Sequence, residues 1–188
     1  MKVVLASASP RRSMILEQAG IAFEVCVSEV EEKITQSAPE LVVEELSAQK
    51  AEDVAKKYTG DELIIGADTV VAARGRILGK PKDETDAAFM LRELSGAVHQ
   101  VYTGVTLIRS GRKVTFHAVT DVSVCRLTEK EIRDYVNSGE PMDKAGAYAI
   151  QGLFGKYITG INGEYNNVVG LPIAAIYAKC RELGYEIM

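Results

Sequence analysis

The chain has 188 residues, with 22 lysines and arginines against 26 aspartates and glutamates, a formal charge of −4. That length suits one domain, or one domain with a cleft between two lobes, and is enough to bury a core. An acidic balance, no tryptophan and only 6% aromatics argue against a nucleic-acid polymer or an anionic membrane as partner, since those need a basic face or a stacking platform.

In chain order, Val3–Ala6 reads as a short apolar strand. It imitates a signal peptide but is too short for an h-region, and Arg11 and Arg12 follow at once. No segment has the length of a membrane span. Ser9 is placed to cap a helix with Pro10 in its first turn, and Gly20 ends that helix. Strand, tight turn and helix N-terminus make a pocket of backbone N–H groups and positive dipole. Arg11 and Arg12 stand in the first helical turn, where cations oppose the dipole. An anion held between dipole and arginines would resolve that conflict; two solvated arginines is the plainer alternative. Residues 21–27 read as a second strand, and S-E-V-E-E-K (Ser28–Lys33) leaves it. If the strand continues, Glu29 and Glu31 share one side and Glu32 takes the other.

Ser37-Ala38-Pro39-Glu40 fits a capping box, which predicts a helix to about Tyr58. Lys50 falls inside its apolar stripe, a position that taken alone favours a lysine snorkelling to the core edge. Leu63–Ala73 (L-I-I-G-A-D-T-V-V-A-A) reads as a strand buried on both faces. Its single charge, Asp68, lies in the middle, where a bare carboxylate is costly and calls for a cation, a metal or hydrogen-bond donors. A turn at Arg74-Gly75-Arg76 leads into Ile77-Leu78 and then into Gly79-Lys80-Pro81, which puts Lys80 on a loop. Asp83 caps a third helix with Ala87, Met90, Leu91 and Leu94 on one face. Residues 98–109 and 113–126 form a predicted hairpin around Ser110-Gly111. Thr128–Glu131 is another capping box, opening a helix to about Ser138. Residues 139–152 have no clear period, as functional loops often do. Tyr157–Ile161 is a predicted strand, Gly163–Gly170 a polar loop, and Pro172 opens a last helix with Ile173, Ile176, Tyr177 and Cys180 facing the core. The fold class is α/β, with a mixed sheet flanked by helices.

The site candidates are then the Ser7–Arg12 turn, Glu31, Lys50, Asp68, Lys80 and the loop from Asp143 to Gln151. Cys26, Cys125 and Cys180 are odd in number and far apart, which fits reduced thiols in the cytoplasm. His99 and His117 have no ligand spacing, so zinc is not expected. Carboxylates without His or Cys partners suit an oxygen-ligated Mg²⁺ or Mn²⁺, and cations at a helix N-terminus suit a polyphosphate. Together they describe phosphoryl or nucleotidyl chemistry on a nucleotide.

S-A-S-P-R-R (Ser7–Arg12), S-E-V-E-E (Ser28–Glu32), G-A-D-T (Gly66–Thr69), G-K-P (Gly79–Pro81), E-P-M-D-K-A-G-A-Y-A-I-Q-G (Glu140–Gly152) and V-V-G-L-P (Val168–Pro172) resemble the Maf proteins, in order and over nearly the whole chain. The resemblance implies one domain over 1–188 with the fold of the inosine-triphosphatase group, an elongated mixed sheet with helices and a central cleft. It implies a nucleoside triphosphate pyrophosphatase that cleaves between the α- and β-phosphates with a divalent metal, Mg²⁺ or Mn²⁺. By motif, Asp68 is the proton acceptor, Glu31, Lys50 and Lys80 line the cleft, and Glu31 and Asp68 are the expected metal ligands. Ser7, Arg11 and Arg12 form the anion-binding turn, while Arg11, Thr69 and Gln151 match positions that mark the branch acting on dTTP and UTP. The competing class is a nucleotide-binding regulator of septum formation without essential catalysis. The oligomeric state, a homodimer included, stays open.

Overall fold

The computed structural model describes residues 1–187. Its strands are β1 (Val3–Leu5), β2 (Phe23–Val25), β3 (Leu63–Ala73), β4 (Arg76–Leu78), β5 (Val98–Arg109), β6 (Arg112–Val124) and β7 (Ile158–Asn162). Its helices are α1 (Pro10–Gln18), α2 (Pro39–Ala55), α3 (Glu84–Leu94), α4 (Glu129–Asn137), α5 (Tyr165–Val169) and α6 (Ile173–Leu183). The seven strands form one mixed sheet in the order β2-β1-β3-β5-β6-β7, with β4 on β3. The chain falls into two compact units. The first comprises Met1–Asp68, Thr103–Ala118 and the chain from Gly170 onward; the second comprises Thr69–Tyr102 and Val119–Val169.

In the first unit β1 lies parallel between β2 and β3, with Val4 opposite Glu24 and Ile64. Parallel neighbours need crossovers, and the helices between these strands supply them. Val4, Ala6, Ala51, Val54 and Ile64 form a buried cluster. α2 lies close on the sheet because β3 and β5 offer it glycines. A Cβ on Gly66 would stand 2.4 Å from the Ser47 carbonyl oxygen, and one on Gly104 would stand 2.2 Å from that of Val43.

Local expectations shift here. The second strand is only Phe23–Val25, and residues 26–37 have no regular structure. The Ser37 capping box does not form: α2 begins at Pro39 with Ala38 at its N-cap and no side-chain cap. Pro39 already suits the first turn, where its missing N–H costs nothing. Ser9 takes the N-cap of α1 without a side-chain bond. Tyr177 is 41% exposed rather than in the core, with the Arg181 guanidinium over its ring, while Ile176 and Cys180 are buried.

In the second unit Leu91, Leu94, Val101, Val122, Ile132 and Phe154 anchor the core. Asp83 caps α3 through the Asp86 N–H at 2.8 Å, and the Thr128/Glu131 capping box of α4 is complete. The aperiodic stretch after α4 is made largely of short 3-10 turns, Glu140–Asp143 and Ala145–Ala147, with a third at Leu153–Tyr157. The expected polar loop at 163–170 contains α5. Asn167 is fully buried, and its Nδ2 donates to the Val101 carbonyl at 3.0 Å and to Thr120 Oγ1 at 2.9 Å. These tertiary bonds override the poor helix propensity of an Asn-Asn pair.

Candidate functional site

Asp68 follows Gly66 on β3, at the line of contact with α2. Its carboxylate is answered by a cation: Lys50 Nζ lies 2.5 Å from Asp68 Oδ1 and 3.0 Å from Glu32 Oε1. The Lys50 and Asp68 side chains are only 16% and 15% exposed, and Glu32 47%. Lys50 therefore does not snorkel out to water; its ammonium is shared between two carboxylates. Half-buried charges at this spacing are stable only in one another's company.

The Ser7–Arg12 turn supplies a second cation. Arg12 Nε donates to the Gly170 carbonyl at 2.8 Å, and Nη1 donates to Ser7 Oγ at 3.0 Å. Ser7 is buried, and its Oγ also accepts the Ser9 N–H at 3.2 Å. Burial lowers the Arg12 pKa; the negative charges of Asp68 and Glu32 raise it, and the charge of Arg11 lowers it. The guanidinium stays protonated in the field of the same two carboxylates that hold Lys50. Gly170 gives the V-V-G-L-P motif a concrete role, as the carbonyl that aims Arg12. Arg11 is half-buried beside it.

Which glutamate joins the site could not be read from alternation, because the strand stops at Val25. Glu32 reaches Lys50; Glu31, the motif-favoured residue, stands next to it, and both are exposed. The structure thus gathers Ser7, Arg12, Lys50, Asp68 and the unforeseen Glu32. A lysine inside an apolar stripe, 18 residues ahead of a mid-strand aspartate, was the only local signal of that pairing.

Thr69, Lys80 and Gln151 belong to the second unit. Thr69 is half-buried on β3; Lys80 and Gln151 are exposed on loops. The loop of Gln151 is pinned on both flanks. Tyr135 Oη donates to Glu140 Oε1 at 2.8 Å and accepts the Ala149 N–H at 3.2 Å, and Glu140 Oε2 accepts the Leu153 N–H at 3.0 Å. Nearby, His99 Nε2 and Tyr148 Oη are 2.7 Å apart, and burial pushes the imidazole pKa down to about 4.

The donor set suits a divalent ion of the Mg²⁺ type. Among the described residues no three His, Cys, Asp or Glu side chains converge. Asp68 and Glu32 do converge on one cation, the Lys50 ammonium. One or two carboxylates completed by substrate phosphates is the habitual Mg²⁺ arrangement.

An ammonium bonded to two carboxylates, with a half-buried guanidinium in their field, in the interior of an α/β sheet, is an arrangement suited to handling polyphosphate. The family model described as Maf-like protein matches residues 2–183, and the chain belongs to that family. A dTTP/UTP pyrophosphatase of Lachnoclostridium phytofermentans is 52% identical over 192 residues, covering 100% of this chain and 98% of its own. One of Bacillus cereus is 46% identical over 187 residues, covering 99% and 97%. Among solved structures, a nucleoside-triphosphatase / dITP/XTP pyrophosphatase of Mycobacterium abscessus covers 98% of this chain and 97% of its own, at 16% identity and a TM-score of 0.46.

Proposed function

We propose that this protein is a nucleoside triphosphate pyrophosphatase that hydrolyses dTTP and UTP to the monophosphate and pyrophosphate, clearing nucleotides from the cytoplasmic pool. The observation that carries the reading is the Lys50 ammonium held on Asp68 and Glu32, two carboxylates whose charge also acts on the half-buried Arg12. Full-length relatives named for this activity support the substrate class.

Lys50 occupies Asp68 Oδ1, which leaves Oδ2 to take the proton from an attacking water. Lys50, Arg11 and Arg12 offset the charge that grows on the phosphates as the anhydride bond breaks. Lys80, Thr69 and Gln151 enter on their motifs, Lys80 as a further phosphate cation, Thr69 and Gln151 as readers of the pyrimidine edge. A divalent metal, when bound, would be held by Asp68 and Glu32 and would supply Lewis-acid stabilisation of phosphate charge.

The test is product analysis over a nucleotide panel, with and without Mg²⁺ or Mn²⁺. Equal amounts of monophosphate and pyrophosphate are expected from dTTP and UTP; release of orthophosphate would overturn the assignment. Asp68→Asn should lower kcat by about 10²–10³-fold while leaving nucleotide binding in an equilibrium titration nearly intact. Full turnover in that variant would remove Asp68 from the chemistry.

A further inference from the structure

Residues 26–37 form neither helix nor strand, yet they are tied to α2 at three points. Asp53 Oδ2 accepts the Glu29 N–H and the Ser28 hydroxyl, both at 3.0 Å. Gln49 pairs with the Lys33 backbone as a neighbouring strand would: its Oε1 accepts the N–H at 2.9 Å and its Nε2 donates to the carbonyl at 2.6 Å. Glu45 accepts the Thr35 N–H at 2.9 Å and the Thr35 hydroxyl at 2.6 Å. Glu45, Gln49 and Asp53 are spaced four residues apart and so make one stripe along the helix. That stripe borders Lys50. Glu32 lies between the Asp53 and Gln49 ties, next to the residue that Gln49 grips from both sides.

This arrangement solves a problem posed by the sequence. Three glutamates in a run of four residues, on chain without secondary structure, have no intrinsic reason to point anywhere. A half-exposed, flexible glutamate gains little by immobilising itself on a lysine. Fixing its backbone on the helix that carries the lysine removes most of that entropy cost beforehand.

We infer that Gln49 is a positioning residue, which locks the Lys33 backbone along α2 so that the Glu32 carboxylate is presented to Lys50 and the reacting phosphate. The inference rests on the proposed function for the use made of Glu32, while the tie itself can be measured without turnover.

The experiment compares Gln49→Leu, Glu32→Gln and the double variant in the full chain. Leucine keeps the helix and the bulk but removes both bonds. Gln49→Leu should lower kcat for dTTP by about 10–100-fold with KM little changed, and with the melting temperature within about 2 °C of wild type, as for most surface substitutions. In the Glu32→Gln background the same change should cost nothing further. An equal loss in both backgrounds, or no loss in either, overturns the inference. Amide hydrogen exchange should speed up at Lys33 in Gln49→Leu even if dTTP is not the substrate; unchanged protection there overturns the tie. Failure of the proposed function would show separately, as wild-type protein that releases no pyrophosphate.

Discussion

Gly66→Ala is the sharpest test of how the fold builds the site. The added methyl would meet the Ser47 carbonyl oxygen at 2.4 Å, Ala51 Cβ at 2.8 Å and Ala51 N at 2.9 Å. Ordinary contact begins near 3.4 Å, so the overlap is about 1 Å, and two of the three obstacles are backbone atoms that no rotamer change can clear. α2 must lift from β3, while Gly104 binds it just as tightly to β5, with a Cβ distance of 2.2 Å from the Val43 oxygen. Overpacking of this kind costs about 3 kcal/mol, the upper part of the usual range. For a chain of this size that lowers the melting temperature by roughly 6–12 °C. The same displacement stretches the 2.5 Å Lys50–Asp68 pair, so activity measured well below the melting point should fall by about 10²-fold. Gly160→Ala is the control, because its nearest neighbour is Ser123 at 3.9 Å, an unstrained contact. A Gly66→Ala protein that melts with wild type and keeps full activity would refute both the close-packing argument and its link to the site.

Stability should respond to pH through His99. Its folded pKa is about 4 because burial disfavours the charged ring, against about 6.5 for an unperturbed imidazole. The unfolded chain therefore binds a proton that the folded chain refuses. Stability is fully present above pH 6.5 and is lost, by about 3 kcal/mol in all, as pH falls toward 4. Denaturant midpoints between pH 4.5 and 7 should slope in wild type and flatten in His99→Gln; parallel curves would refute the account. Tyr135→Phe strips the hydroxyl that accepts the Ala149 N–H and donates to Glu140. Leaving buried partners unsatisfied should cost about 1–3 kcal/mol in a denaturant titration. It should also narrow the preference for dTTP over GTP if Gln151 reads the base, and an unchanged midpoint would contradict the clamp.

What the sequence determined alone is what a few neighbouring residues decide among themselves. The double-sided burial of β3, the Asp83 cap of α3, the Thr128/Glu131 capping box and the turn at Ser110-Gly111 depend on periodicity and on bonds reaching three or four residues. Motif order likewise marked Ser7, Arg12, Lys50 and Asp68, because a polyphosphate site needs cations and a carboxylate whose types can be read without coordinates. Tertiary structure decided the rest. Local pattern leaned toward a snorkelling Lys50, put Tyr177 in the core, made 163–170 a loop and left three glutamates equivalent. Three of these outcomes turned on a partner far along the chain: Asp68 for Lys50, Val101 and Thr120 for Asn167, Gln49 and Asp53 for the segment that bears Glu32. A buried charge or amide goes where its free energy of desolvation is recovered, and the residue that recovers it is chosen by how helices and strands pack.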